Sequence, residues 1–244
     1  MNRPVGCVSG IDVSSAQGVV DWQEVYASGV RVAFVEIFLG NDGISSDARV
    51  QVANALKAGL RVLPYFFAYP LPADGAHPGR DPVGQVVLWL QATRGLGLDP
   101  KEPCIIDVEW PPQADFDKWK VDASFVRGWV IAACAELEAK TAVVPWVYIT
   151  PDFAHVIDTA AEPAIARYPL WIANYGVQEP NIPAPWTSYS AWQHTSSGRV
   201  PGINGPVDLD WVYDPRNAPT DPEYGYMDDD EVTLPGTSTA SEAA

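Results

Sequence analysis

The stretch CIIDVEW (residues 104–110) sets two carboxylates, Asp107 and Glu109, into an apolar run closed by Trp110. Side chains two apart on a strand share a face, roughly 6–7 Å apart at the backbone, so both acids project together. A strand buried on both faces has no use for such a pair, because a buried charge is costly unless it is partnered. The run therefore reads as a strand that ends in a site, and any partners must come from the strands around it.

Those strands are legible as a series. Short β-branched runs occur at 7–14 (CVSGIDVS), 31–38 (RVAFVEIF), 61–69 (RVLPYFFAY), 104–110, 143–150 (VVPWVYIT), 168–175 (YPLWIANY), 189–196 (YSAWQHTS) and 207–213 (VDLDWVY). Amphipathic stretches lie between the earlier ones. SSDARVQVANALKAGL has Asp47 placed as a cap, with Val50, Ala53 and Leu56 at helical spacing. VGQVVLWLQATRGLG is expected to end at Gly95, and ASFVRGWVIAACAELEAK to run to Lys140. Alternating β and α units imply parallel strands joined by right-handed crossovers, in a barrel or a doubly wound sheet. Beyond residue 180 the helices vanish, so the last third is more purely β than an ordinary eight-fold barrel.

In a parallel barrel, functional groups gather at the C-terminal rim, and Asp107 and Glu109 lie near the end of their strand. Asp12 in GIDVSSAQG and Asp208 with Asp210 in VDLDWV hold comparable places. Gathering such acids raises each other's proton affinity. A glycosidase needs that arrangement: one acid kept protonated for the leaving oxygen, another ionised to stabilise positive charge. The plainer reading, that each acid caps a helix or satisfies loop amides, suits one strand-end Asp better than the whole set. A metal held by these oxygens is the other alternative, but no His accompanies them. Ten Trp residues supply a second clue. Trp110, Trp146, Trp171, Trp192 and Trp211 sit at strand ends, with Tyr65, Tyr148 and Tyr175 in similar positions. Aromatic walls around an acidic rim suit a sugar, which stacks its C–H faces on rings.

Composition excludes several classes. At 244 residues with 47% hydrophobic content, the chain fits one large domain, and no apolar run approaches membrane-spanning length. The formal net charge of −16 repels phosphate backbones, so no nucleic-acid partner is expected, and no membrane. Cys7, Cys104 and Cys134 are isolated among apolar residues and read as buried free thiols. His77, His155 and His194 show no ligand spacing, so neither a metal nor another cofactor is expected. MNRPVGCVSG has no apolar h-region, so no ordinary secretory signal is visible. Residues 214–244, with eight acids, one Arg and much Pro, Ser and Thr, read as a disordered acidic tail or linker.

The ordered set GIDVSSAQGVVDW, AGLRVLPYFFAY, IIDVEW, WVYIT, LWIANY and AWQHTSSGRVPGINGPVDLDW resembles the glycoside hydrolase family 25 muramidases, the Chalaropsis-type lysozymes, over roughly residues 9–213. The resemblance implies a flattened (β/α)5β3 TIM-like barrel over residues 1–213. It also implies hydrolysis of the β-1,4 bond between N-acetylmuramic acid and N-acetylglucosamine in bacterial peptidoglycan. The family's acid–base residue falls on Glu109. Asp107 would orient and stabilise an oxazolinium-like intermediate formed by the substrate's own acetamido group, although direct attack by a carboxylate stays open. Asp12 and Asp208 would tune Glu109 or hold the acetamido group. Tyr65, Trp110, Tyr148, Trp171, Tyr175, Trp192 and Gln193 would bind the glycan. This chain departs from the family at EIFLGNDG (36–43), where Lys-Ala-Thr/Ser-Glu-Gly is usual, and at YFF (65–67), where Tyr-His-Phe is usual. Glu36 is expected to pair with a basic residue as a structural charge.

A chitinase-like barrel would need an Asp at Ile105, which is absent. A non-catalytic glycan-binding or virion module on the same fold is the rival from another class. The missing leader suggests a phage lysin or virion-borne enzyme acting on the cell wall. A monomer is expected, since an insoluble polymer must enter an open groove.

Overall fold

The computed structural model describes residues 3–39, 43–72, 80–109 and 122–213. Trp110 and residues 214–244 lie outside these, so the expectations placed on them are not addressed by the structure. The chain opens with β1 (Cys7–Val13), α1 (Trp22–Ala27), β2 (Val30–Leu39), the short β3 (Gly43–Ile44) and α2 (Ala48–Ala58). It continues through β4 (Arg61–Phe67), α3 (Pro82–Thr93), β5 (Ile105–Asp107) and α4 (Ala123–Thr141). Next come β6 (Trp146–Ile149), α5 (Pro151–Val156), β7 (Leu170–Ala173), β8 (Ala191–Gly198) and β9 (Val207–Tyr213).

Local chemistry sets most boundaries. Pro145 and Pro169 have no N–H to give a ladder, and β6 and β7 begin at the residues that follow them. Asp81 accepts from Gly84 N (3.0 Å) ahead of Pro82, and Asp122 accepts from Phe125 N (2.8 Å), starting α3 and α4. Two expectations need correction. Asp47 stands before α2 but makes no side-chain cap bond. The face that α2 buries is Ala48, Gln51, Val52, Ala55 and Ala58, while Val50 points outward at 62% exposure. Polar Gln51 belongs to the buried stripe because its Nε2 donates to Ser14 O at 2.8 Å, tying α2 to the end of β1.

The strands form one sheet in the order β1-β9-β8-β7-β6-β5-β4-β2-β3, and β1 also pairs with β2. That last pairing closes an eight-stranded barrel, with β3 a short appendage on β2. Strands β1, β2 and β4 to β8 run parallel, while β9 is antiparallel to both β8 and β1. The five described helices all fall before β7, giving the (β/α)5β3 arrangement expected.

Strand alternation sorts the core into two compartments. Inside the barrel pack Val8, Val32, Phe34, Leu63, Tyr65, Ile105, Tyr148, Trp171, Ala173, Ala191 and Val212. Between barrel and helices lies the larger cluster, including Ile11, Val35, Phe66, Trp89, Ile106, Trp129, Ile149 and Trp192. The inward face is decisive for function, because following it towards the C-terminal rim leads from valines to acids.

Candidate active site

Along β1 the inward positions after Val8 are Gly10 and Asp12; along β2, after Val32 and Phe34, comes Glu36. On β5, Ile105 is followed inward by Asp107, and the ladder runs one step past the strand as Val108 N donates to Tyr148 O (3.0 Å). Glu109 thus follows β5 rather than lying on it, and still reaches the rim. Antiparallel β9 delivers Asp208 beside Asp12, its direct partner across the β1–β9 ladder. These positions line a groove of about 330 Å³ with Ser14, Gln17, Tyr65, Phe67, Tyr148, Trp171 and Gln193. Five carboxylates share this lining, and no Lys, Arg or His is among the described lining residues. A larger hollow of about 470 Å³ between the starts of α3 and α4 is apolar and bears none of this chemistry.

One amide organises half of the site. Gln193 Oε1 accepts from the hydroxyls of Tyr148 (3.1 Å) and Tyr175. Its Nε2 therefore faces the acids and donates to Asp12 Oδ2 (2.7 Å) and Asp208 Oδ2 (3.3 Å). Two phenols fix the oxygen end and two carboxylates the nitrogen end, so the orientation is determined by donor chemistry. Trp171 forms the floor. Its ring stacks on Phe34 at 4.0 Å, meets Tyr148 edge-on at 4.6 Å, and its Nε1 donates to Asp210 Oδ1 at 2.8 Å.

Burial and like charge favour the protonated form of these acids. Burial raises the proton affinity of Asp107 well above the usual carboxylate range, and the charges of Glu109 and Glu36 add to it. Glu109, half-buried, is raised by desolvation and then by Asp208. Asp12 is raised well above its ordinary value by burial, then by Asp210 and Asp208. Asp107 Oδ1 is buried and accepts no hydrogen bond among the described residues.

Asp12, Asp107, Glu109, Asp208, Tyr65, Tyr148, Trp171 and Gln193, all named from the sequence, meet in one groove. Tyr175 stands at its edge, 45% exposed, joined through Gln193. Trp192 does not belong: it faces the outer core at 1% exposure, and its Nε1 donates to Asn174 O. Alternation explains this, since Gln193 points inward and its neighbour must point out. Trp146 begins β6, at the end of the barrel opposite the rim, and Trp211 lies on the outer face, stacked on His194 at 4.6 Å. Glu36 also differs from expectation. It has no basic partner among the described residues and turns into the groove, where burial raises its proton affinity. Ser14, Gln17 and Phe67 complete the lining, and the inward alternation of β2 and β4 was the available signal for Glu36 and Phe67.

The sequence profile of glycosyl hydrolases family 25 matches residues 11–203, most of the barrel. The chain belongs to glycosyl hydrolase family 25. Among relatives in this family, Lysozyme M1 of Streptomyces globisporus is 26% identical over 201 residues, covering 82% of this chain and 66% of that protein. The Autolytic lysozyme of Clostridium acetobutylicum is 30% identical over 203 residues, covering 83% of this chain and 55% of that protein. The chain thus spans about two thirds or less of these two relatives' lengths. Among solved structures, a bacterial lysozyme from Streptomyces coelicolor superposes with a TM-score of 0.74 at 25% identity, covering 84% of this chain and 91% of that one. Of the two departures, Glu36 on β2 enters the groove, whereas Phe66 on β4, at the place where His is usual, is fully buried in the core between barrel and helices.

Proposed function

We propose that this barrel is a muramidase that hydrolyses the β-1,4 bond between N-acetylmuramic acid and N-acetylglucosamine in bacterial peptidoglycan. The observation that carries this reading is the unequal pair on β5 and its extension. Half-buried Glu109, its proton affinity raised by burial and by Asp208, stands beside open groove, while Asp107, two residues before it, is deeply buried and lines the same groove. Glu109 donates its proton to the leaving glycosidic oxygen, then takes one from water in the second step. The groove-lining side of the Asp107 carboxyl accepts the N–H of the substrate's 2-acetamido group, turning its carbonyl towards C1 and stabilising the oxazolinium-like ring that forms. Asp208 keeps Glu109 protonated through its charge, and Asp12 holds the opposite wall with it through Gln193. Tyr65, Tyr148 and Trp171 offer apolar faces to the sugar.

Residues 1–213 carry the activity in this reading, and 214–244 are dispensable for cleavage. The protein acts as a monomer on the cell wall, in keeping with an open groove, and needs no metal or nucleic acid. Among the described residues no helix is long and apolar enough to cross a membrane.

Purified peptidoglycan digested by wild type should yield new reducing muramic acid ends by mass spectrometry. Glu109→Gln should lose about 10²–10⁴-fold in rate, with unchanged circular dichroism. Reducing glucosamine ends would refute the bond assignment. No new ends from several wall chemistries would favour a glycan-binding module on the same fold.

A further inference from the structure

Beneath the groove lies one acid that this mechanism leaves unused. Asp210 is fully buried, at 0% exposure, one inward step deeper on β9 than Asp208. Its direct neighbours across the sheet are Gly10 on β1 and Gln193 on β8. Gly10 is what admits it: a Cβ there would lie 3.1 Å from Asp210 Cβ and 2.8 Å from Val212 Cγ2. Asp210 Cβ and the Val212 methyl therefore occupy the space a side chain at position 10 would fill, which sets Asp210 diagonally below Asp12. Its Oδ1 accepts from Trp171 Nε1 at 2.8 Å. Its Oδ2 is buried with no hydrogen-bond partner.

A buried carboxylate oxygen without a donor is costly, and several donors nearby are already committed. Trp171 N–H serves Oδ1, and Gln193 Nε2 serves Asp12 and Asp208. The Tyr148 and Tyr175 hydroxyls serve Gln193 Oε1. A proton on a neighbouring acid would satisfy Oδ2. Asp12 is the candidate, being itself buried, directly opposite Asp208 and two residues along β1 from Gly10, the partner of Asp210.

We propose that Asp210 is a positioning residue of this site: held by Trp171, its carboxylate accepts a hydrogen bond from Asp12 and so keeps Asp12 neutral and proton-bearing. The groups facing Asp12 are Asp208 and Asp210 from β9, Gln193 from β8, Tyr65 from β4, Tyr148 from β6, and Tyr175 beyond β7. None is cationic, so nothing there draws the proton off Asp12. Asp208, less buried, then carries the negative charge of the upper layer, and that charge helps Glu109 retain its proton. Asp210 thus acts on Glu109 through two intervening carboxyls without touching the glycan.

Aspartate labelled with ¹³C at Cγ reports each protonation state in the protein without substrate, so a chain that cleaves nothing would still return this result. Only the kinetic arm rests on the muramidase reading. Resonances are assigned by Asp12→Asn, Asp208→Asn and Asp210→Asn, any two of which suffice if one variant fails to fold. The expected result is an Asp12 midpoint above the ordinary carboxylate range and above that of Asp208. In Asp210→Asn the Asp12 midpoint should fall by about 1–3 pH units, and the alkaline limb of kcat/KM should move to lower pH. On an Asp12→Asn background, Asp210→Asn should leave that limb in place. Asp12 ionising in the ordinary carboxylate range in wild type, or an Asp12 midpoint unmoved by Asp210→Asn, overturns the proposal.

Discussion

Asp107 bears the charge conflict of the groove most directly, because it is buried, faces two other acids and has an oxygen without a donor. Its folded-state proton affinity is raised, so between the ordinary carboxylate range and that higher value the folded protein binds more protons than the unfolded chain. Stability contributed at this residue therefore falls as pH rises through that window. Asp107→Asn should stabilise the protein by about 1–3 kcal/mol near pH 7, and this gain should vanish as pH approaches about 4. In the muramidase reading, cleavage of peptidoglycan by this variant should be lost at every pH. Thermal melts across pH, paired with a peptidoglycan assay, check both halves, and a destabilised variant at neutral pH would contradict the account. Most of the acidic set was legible because period-two alternation and strand-end position pick out Asp12, Asp107, Glu109 and Asp208 together. The same rule applied strictly would have separated Gln193 from Trp192 and turned Glu36 inward. Aromatic content alone pulled Trp192 towards the glycan, whereas its place in the outer core follows from its neighbour.

Between residue and molecule stand the ladders that bring these acids to one height. The β1–β9 pairing sets Asp12 against Asp208 and Gly10 against Asp210, so the depth of each acid depends on close contact at Gly10. Gly10→Ala should destabilise by about 1–3 kcal/mol through overpacking, read as a fall in Tm of roughly 2–4 °C per kcal/mol. It should also reduce activity more than an equally destabilising change in the outer core. Equal loss of activity in both would place Gly10 among ordinary packing positions. β-branched runs and helical spacing made β6, β7, α3 and α4 readable, but not their starts. Pro145 and Pro169 set the starts of β6 and β7 inside the runs read at 143–150 and 168–175, and the caps Asp81 and Asp122 are boundary signals outside that reading. The buried face of α2 was not readable, because its stripe contains Gln51, whose burial depends on a carbonyl thirty-seven residues away.

For the molecule as a whole, acids gathered in the groove and a net charge of −16 work in the same direction. Neutral and alkaline conditions ionise groups that burial and mutual repulsion would keep protonated, while overall self-repulsion loosens the compact state. The Tm of wild type should therefore rise as pH falls from about 8 to about 5, and added salt should raise it near pH 7 by screening exposed charge. A Tm that climbs with pH over that range would mean that ion pairs such as Arg61–Glu102 outweigh the groove. The closing ladder has one more result. Cys7 pairs with Tyr213, five residues and about 16 Å along the strands from the Asp12–Asp208 pair. The backbone thus enters and leaves the barrel side by side, at the pole facing away from the groove. A partner module grafted at either junction would hang from that single pivot like a tool on its handle, leaving the cutting edge free to ride along a strand while the handle is anchored elsewhere.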